Sequence, residues 1–505
     1  MKTEIYYGKG GRLSKNANPH LINTAYVHDC NDSEELIEGL HIADIAHAIM
    51  LIEQEIIPIE EGRILLKSLI HISQTEIQIK PELGDVYNSK EYALKMQIGD
   101  ISGWLHLGRA RREAINNGFL LKYKSSVLKL NQTALNLSKV MLDISSENIT
   151  TLMPDFTYML HAQPTSLGHY LGTYITPLTR DLNRLDQFYD RLDLSWAGIG
   201  SVNGSRLPID RHFLAKLLGF KKASPHIRDA MWMPDLFNEG MFILANILGG
   251  LNRFVQELIV WNTHEFGFLE IDDSYARASV IMPQKKNPYP LAYLRGLCNE
   301  ITGKVGTYMM FGKEPSGFPD NRVFIYGDII RTYEKVSAAI NMFADFLQTV
   351  NWNKERMSNA VKKSFAYSTD LAEAISLNCK IDYKKSHTIV GKAVKKVGKE
   401  NGNDILPLIV SILKDEEIIV SPSIIEELEI SIDYNKLIDG RNGIGASSPS
   451  SMNEYISNTK DELVRYKNKN SERVNNFNQI SSVINTYLKK ILKNEFSTFK
   501  TTITV

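Results

Sequence analysis

The chain of 505 residues is poor in cysteine and carries no excess charge of either sign. Its three cysteines, Cys30, Cys298 and Cys379, lie far apart and form no C-x-x-C pair, which excludes the usual spacing of a disulfide framework or a zinc knuckle. Lys plus Arg and Asp plus Glu both number 58, a balance that argues against nucleic acid as a partner. We expect a small-molecule partner, no metal and no other cofactor.

Long apolar runs are also absent. No window holds eighteen uninterrupted apolar residues, and the first residues lack the apolar segment of a signal peptide. The sequence therefore predicts a cytoplasmic protein that does not enter a membrane. Strand-forming runs are scarce as well, and we predict strands only at 430–434 and 501–505.

Amphipathic helices dominate the middle of the chain. Apolar residues recur at helical spacing in three long seams, at 178–192, 244–258 and 336–347. Such helices cannot bury their seams singly, so the pattern predicts an all-α fold with a long central bundle that continues across subunits.

Composition divides the chain into four segments. We predict an N-terminal helical domain at 1–115, a central bundle at 116–363 and a C-terminal helical domain at 364–451. The remaining segment, 452–505, is rich in Asn, Lys, Ser and Glu with sparse apolar positions, so we expect a solvent-exposed helical extension or partial disorder.

The signature loop, residues 277–290, has the most specific chemistry. A hydroxyl (Ser279), two ammonium groups (Lys285 and Lys286) and an amide (Asn287) stand among three prolines, so the segment is a loop that can bring donors and cations to an anion. The alternative is a basic surface loop without a catalytic role, which is the commoner explanation for a short K-K-N-P motif taken alone.

Two other features have a functional and a structural reading. Arg109, Arg111 and Arg112 lie near small residues and could clamp a carboxylate, or they could line a solvated helix face. His47 lies in an apolar run, where a lone histidine is more often a core residue than a catalyst.

The string S-x-I-M-P-Q-K-K-N-P at 279–288 resembles the signature loop of the fumarase/aspartase superfamily, and its Q-K-K-N-P form is similar to argininosuccinate lyase. Further stretches resemble that family in the same order along roughly residues 8 to 450: 41–47, 103–111, 153–164, 207–211, 265–268 and 369–373. The resemblance implies a three-part helical fold whose central bundle forms a homotetramer, with each active site built from three subunits.

The resemblance also implies a reaction. Enzymes of this kind remove a proton next to a carboxylate, stabilise the resulting aci-carboxylate, and expel an amine to leave fumarate. Ser279 matches the serine base on its mobile loop, Lys285 and Asn287 match the groups that hold the carboxylate, and Thr157 matches the threonine of a Thr-His pair. The other candidate substrate-binding residues are Gln163, Gln284, His106, Arg111 and Arg112.

Four positions depart from the family pattern. Tyr158 replaces the histidine of the Thr-His pair, Ala292 replaces the glutamate that orients it, Arg112 replaces a substrate-binding amide, and Ala278 replaces a glycine. A phenol is a donor at neutral pH, so Tyr158 is a candidate catalytic residue that protonates the departing amine. Decay of an unused site would leave the same changes.

Three classes of function follow. The first is a lyase that releases fumarate from argininosuccinate or a related succinyl adduct. The second is a homologue that kept the fold for a structural or binding role, since fold alone does not prove activity. The third is an addition enzyme that runs the reaction in the joining direction.

Overall fold

The computed structural model describes residues 15–318, 320–398, 405–493, 495–503 and 505, so residues 1–14 of the predicted N-terminal domain lie outside it. The longer helices of the described chain are α1 (Ser33–Glu53), α2 (Ile59–Ser73), α3 (Val86–Ile98), α4 (Arg111–Glu147), α5 (Leu167–Leu192), α6 (Asp235–Trp261), α7 (Tyr289–Phe311), α8 (Tyr326–Thr349), α9 (Lys354–Lys362), α10 (Ser368–Cys379), α11 (Tyr383–Val397), α12 (Ile405–Asp415), α13 (Pro422–Ile430), α14 (Pro449–Asn478) and α15 (Ile480–Leu492).

Short helical turns and small sheets connect these helices. The short turns lie at Pro19–Leu21, Ile22–Tyr26, Val27–Cys30, Pro81–Leu83, Gly99–His106, Arg211–Leu217, Ile227–Trp232, Asp273–Tyr275 and Asp320–Val323. The strands pair as four two-stranded sheets: β1 (Leu152–Thr157) with β2 (Leu160–Ser166), β3 (Leu194–Ser195) with β4 (Lys222–Ala223), β5 (Leu269–Glu270) with β8 (Asn351–Trp352), and β6 (Arg277–Ala278) with β7 (Lys286–Asn287). The architecture confirms the predicted all-α class.

The central helix is α4, which packs against α1, α5, α8 and α14. Its buried Tyr123 donates a hydrogen bond to the Tyr333 hydroxyl at 3.3 Å, and Tyr333 donates to the Gly240 carbonyl at 3.0 Å. This chain joins α4, α8 and α6 through the apolar core and gives each phenol a partner, which avoids the cost of a buried unpaired donor.

The three predicted seams lie on α5, α6 and α8, and the residues that recur at helical spacing, from Leu178 to Leu192, from Leu244 to Leu258 and from Val336 to Leu347, are at most 4% exposed in the single chain. Helix α5 packs on α6, and α8 packs mainly on α4, so the seams are covered within one chain and require no partner subunit. That part of the sequence argument for oligomerisation is wrong. A different face remains open on α7. An added Cβ at Gly296, Gly303 or Gly306 would meet nothing within 4 Å, and Met309 and Met310 are exposed.

Helix α6 is long and apolar enough to cross a membrane by length and composition alone. In the fold it packs along α5 and α7, and its seam residues, such as Leu248 and Leu258, are buried there. A core helix of a bundle passes the same test, so its apolarity has an explanation within the fold.

Two contacts fix the N-terminal helices to α4. Helices α1 and α4 cross where a Cβ at Gly39 would lie 2.0 Å from the Gly118 carbonyl oxygen, so the backbones touch directly. Nearby, the buried Asp44 carboxylate lies 2.5 Å from Lys90 Nζ and 2.7 Å from Arg109 Nη2. His47 is 2% exposed and bonds the Leu107 carbonyl through Nε2 at 3.1 Å, which supports its reading as a core residue.

A second core lies in the C-terminal part and includes Val361, Leu371, Ile389, Ile409 and Leu428. The strand predicted at 430–434 is wrong: Ile430 ends α13 and turns follow it, with Ile432 and Tyr434 packed against this core. The described part of 501–505 forms no strand either, and Ile503 packs into the main core at 4% exposure. Packing against helical cores accounts for Ile432, Tyr434 and Ile503, whereas Ile430 is 40% exposed.

The segment 452–505 forms the helices that the sequence allowed, α14 and α15, but these helices lie along the bundle instead of extending away from it. Helix α14 packs along α4 and α5, and α15 packs against α1. The buried positions of α14 are Ser451, Met452, Thr459, Leu463, Tyr466, Asn470 and Phe477, and from Met452 onward they recur at helical spacing. Three of these positions are polar, which hides the seam in the sequence.

Candidate active site

The signature loop projects from one end of the bundle as a small antiparallel hairpin. Strands β6 and β7 pair so that Arg277 lies opposite Asn287 and Ala278 lies opposite Lys286. The Asn287 side chain donates from Nδ2 to the Arg277 carbonyl at 2.7 Å and closes the base of the loop. The loop prediction holds for 277–288, but the next helix begins at Tyr289, so Tyr289 and Pro290 of the predicted loop are helical.

Ser279 lies just beyond β6, at the start of the turn. Its Oγ accepts a hydrogen bond from the Met282 amide at 3.1 Å, and its own amide donates to the Lys285 carbonyl at 3.3 Å. A backbone N–H aimed at Oγ favours negative charge on that oxygen. The tip residues Val280 and Ile281 are 100% and 83% exposed, so the loop stands away from its own chain.

The cations of the loop have different surroundings. Lys286 lies 3.2 Å from a Glu270 oxygen and 2.7 Å from an Asp273 oxygen, so its charge is balanced. Lys285 and Gln284 are exposed, and no carboxylate in the described chain forms an ion pair with Lys285. Lys285, whose ammonium has no ion-pair partner in the described chain, is therefore the residue whose backbone bonds Ser279.

The Thr-Tyr pair lies at the tip of the β1–β2 hairpin. Thr157 pairs with Leu160, and the two residues between them, Tyr158 and Met159, have φ of 53° and 61°. Left-handed backbone at a non-glycine residue costs on the order of 1 kcal/mol or more. This strained turn holds the Tyr158 side chain 99% exposed.

Gln163 and His161 lie on the returning strand β2. Gln163 is exposed. His161 pairs with Phe156 across the hairpin, with ring centroids 5.3 Å apart, and burial lowers the pKa of its imidazole. A neutral imidazole at this position can accept a proton but is a poor acid.

His106 and Arg111 lie at the other end of α4. His106 Nδ1 is 3.1 Å from the Tyr87 hydroxyl, and its Nε2 bonds the Glu91 carboxylate. Arg111 Nη1 donates to an Asp85 oxygen at 2.7 Å. The structure thus gives both predicted substrate ligands partners from their own chain.

Arg112 lies beside Arg111 in a cleft that we call the arginine cleft, formed with Asp29, Asp85 and Tyr326. Arg112 hydrogen-bonds Tyr326 and lies close to both carboxylates. Burial and the neighbouring Asp85 raise the pKa of Asp29, while Arg112 opposes the rise. The placement favours the alternative in which Arg112 balances carboxylates of its own chain.

Comparison with known proteins identifies the family. A family described as Lyase matches residues 37–303. Argininosuccinate lyase of Methanococcoides burtonii is 30% identical over 457 residues, covering 90% of this chain and 92% of that protein. Argininosuccinate lyase of Clostridium botulinum strain Alaska E43 is 31% identical, covering 91% and 98%. The chain belongs to the fumarase/aspartase superfamily of lyases.

Solved structures show the same fold for this superfamily member. EDDS lyase in complex with formate aligns with a TM-score of 0.85 at 24% identity, covering 95% of this chain and 97% of that chain. Class II fumarase of Schistosoma mansoni aligns with a TM-score of 0.64 at 15% identity, covering 79% and 91%. Together with the argininosuccinate lyase relatives, these structures confirm the predicted fold. They also confirm the resemblance to argininosuccinate lyase and the prediction of a carbon–nitrogen lyase.

The candidate residues of this protein do not lie together within one chain. The hairpin and the signature loop share an end of the bundle, because Phe156 packs 5.9 Å from Phe266 while Lys286 bonds Glu270. The arginine cleft lies at the opposite end of α4, and the 37 residues of this helix span about 55 Å. The candidate residues therefore form two groups, far apart.

Sequence reasoning missed several residues around these groups. The Met282 amide that bonds Ser279 carries no side-chain signal, because any residue except proline could supply it. Asp29 and Tyr326 lie far from the arginines in sequence, and only the fold places them in the arginine cleft. Arg277 was visible two residues before the serine, but without the β6–β7 pairing its direction could not be inferred.

Proposed function

We propose that the protein eliminates fumarate from an N-substituted aspartate, either argininosuccinate or a related succinyl adduct. The observation that carries the proposal is the surroundings of Ser279: its Oγ accepts the Met282 amide, and its backbone bonds that of the unbalanced Lys285. Serine is a weak base unless its proton is lost into an electropositive site, and an N–H donor with a nearby ammonium provides one.

In the proposed reaction, Ser279 removes a proton from the carbon beside one carboxylate of the substrate. The electron pair moves into that carboxylate, and Lys285 and Asn287 stabilise the aci-carboxylate that forms. When the electrons return, the bond between the neighbouring carbon and nitrogen breaks on the opposite face. Fumarate and an amine result, and the amine must gain one proton.

We assign that proton to Tyr158. Its phenol can donate at neutral pH and needs no carboxylate behind it, in keeping with Ala292 in place of the family's glutamate. The strained turn supports this assignment. The left-handed backbone at Tyr158 costs stability, and the exposed side chain offsets none of that cost by packing on its own chain, which favours a functional reason for the conformation. Thr157 and Gln163 lie on the same hairpin and are proposed to orient the substrate.

A complete site requires more than one copy of the chain. About 55 Å separates the arginine cleft from the other end of α4, while a four-carbon dicarboxylate spans only a few ångströms. We therefore propose a homotetramer, the assembly that the family resemblance implies, in which the arginine cleft of one subunit meets a loop and a hairpin from other subunits. The open glycine face of α7 suits close helix packing between copies. Light scattering that shows a stable monomer would remove this proposal.

Loss of the family's histidine and glutamate is the observation that favours the other two classes of function, an inactive homologue or an addition enzyme.

One assay distinguishes the three classes. Absorbance of fumarate is followed with argininosuccinate, adenylosuccinate and a series of N-substituted aspartates, and in reverse with fumarate plus each amine. Release from one substrate, lost in Ser279→Ala, supports the lyase. Turnover only in the joining direction supports the addition enzyme. No turnover either way supports the inactive homologue.

A further inference from the structure

Arg277 shares a face of the loop with the candidate catalytic residues. Successive side chains of a strand point to opposite faces, and cross-strand partners point to the same face. The pairing of Arg277 with Asn287 therefore places these two side chains on one face of the hairpin. Ser279 and Lys285 are each two residues further toward the tip, and a backbone hydrogen bond joins them, so we infer that they lie on the same face. Lys286 points to the other face, where its two carboxylate partners lie.

The charge of Arg277 is not balanced by its own chain. Its side chain is exposed, and no carboxylate in the described residues forms an ion pair with it. Its guanidinium lies over the Tyr289 ring, 5.2 Å from the centroid. Within the described residues the Arg277 side chain donates no hydrogen bond, so its N–H groups are available, and these are the donors that hold a carboxylate through two bonds.

The setting of Arg277 contrasts with that of Arg112. Arg112 was a candidate substrate-binding residue, but it lies beside Asp29 and Asp85 and bonds Tyr326. Arg277 lies at the start of α7, whose N-cap, Pro288, supplies no side-chain acceptor, so the positive end of that helix adds to the field at the loop. An additional anion is therefore more favourable at Arg277.

We propose that Arg277 binds an acidic group on the amine half of the substrate. This inference rests on the proposed function and narrows it: the substrates are N-substituted aspartates that carry at least a third carboxylate. Lys285 and Asn287 already serve one carboxylate of the four-carbon unit, and Arg277 provides a separate cation on the same face. In this role Arg277 determines specificity and takes no part in proton transfer.

The test compares two ligands that differ in one charge, N-(carboxymethyl)aspartate and its amide isostere N-(carbamoylmethyl)aspartate. Binding is measured by titration calorimetry, and fumarate release is followed separately. We expect the wild-type protein to bind the tricarboxylate about tenfold or more tightly than the amide, the range of one charge-assisted contact. Arg277→Gln should abolish that preference. The matched control, Lys286→Ala, removes a charge from the other face and should retain it.

Binding and turnover separate the two ideas. If the wild-type protein prefers the tricarboxylate through Arg277 but releases fumarate from neither ligand nor from any other substrate, the lyase proposal fails and the Arg277 site stands. If the wild-type protein shows no preference, or Arg277→Gln keeps it, the Arg277 proposal is overturned whether or not fumarate forms. An equal loss in Lys286→Ala would also overturn it, since the preference would then reflect the general charge of the loop.

Discussion

The amide of Ser279 donates to the carbonyl of Lys285 at 3.3 Å, so one backbone hydrogen bond joins the proposed base to the cation proposed to stabilise its product. The two residues are six positions apart and meet because the loop folds back on itself. Any movement that brings Ser279 to a substrate therefore carries Lys285 with it. This coupling explains why proton removal and stabilisation of the charge it creates can occur together.

Ser279→Ala should lower turnover on the true substrate by a factor on the order of a hundred to ten thousand, because it removes the general base. The residue is on an exposed loop, so the thermal midpoint should hardly change. Val280→Ala, at the neighbouring tip position, is the control for general disturbance of the loop. Steady-state kinetics that show equal turnover in Ser279→Ala and the wild-type protein would exclude Ser279 from the reaction.

Tyr158→Phe should reduce turnover about tenfold or more while the melting temperature stays constant, since it removes only a hydroxyl from a fully exposed ring. Tyr158→Gly serves as a second variant. It also lacks the hydroxyl, but it relieves the left-handed backbone and should raise the melting temperature. Full activity in Tyr158→Phe would assign the proton to water or to another group.

Arg112→Asn should affect anionic and neutral-tailed substrates equally. The substitution removes one of the two arginines near Asp29, whereas Asp85 keeps its bond to Arg111 at 2.7 Å, so it should cost about 1 kcal/mol of stability, the low end of the penalty for an unpaired polar group. Michaelis constants for both substrate types, together with urea unfolding, test this expectation. A selective rise in the Michaelis constant for the anionic substrate would instead make Arg112 a substrate ligand.

Glu113 should make stability depend on pH. Burial raises the pKa of its carboxyl to about 8 from a reference value of 4.5, although Arg109 and the Gly198 amide, 2.6 Å from Oε1, oppose the rise. Between these values the folded protein holds a proton that the unfolded chain has lost. The free energy of unfolding should therefore fall as pH rises through this window and level off above it.

Glu113→Gln keeps an acceptor for the Gly198 amide and cannot titrate. Urea unfolding across the same pH range should therefore show a smaller slope for this variant than for the wild-type protein. Identical slopes would assign the pH dependence to other groups.

The sequence allowed prediction of the fold class, because apolar periodicity is a local signal, and the prolines of a short motif likewise marked 277–288 as a loop. Ser279, Lys285 and Asn287 were named from the resemblance of that motif to the family, and their roles stay predictions. The turn at Tyr158 and Met159 could not, since neither residue favours left-handed backbone and only the β1–β2 pairing imposes it. The surroundings of Arg112 also required the fold, because its partners come from distant segments.

The direct contact of Gly39 with Gly118 has a mechanical consequence. With no side chain between α1 and α4 at their crossing, and with Asp44 holding Lys90 and Arg109 in the interior, a hinge here would have to separate touching backbones and break buried ion pairs. The arginine cleft therefore belongs to a stiff frame. If the site closes on a substrate, we expect the exposed signature loop and β1–β2 hairpin to move, so that labels on Val280 and Met159 report the change while labels on α1 do not.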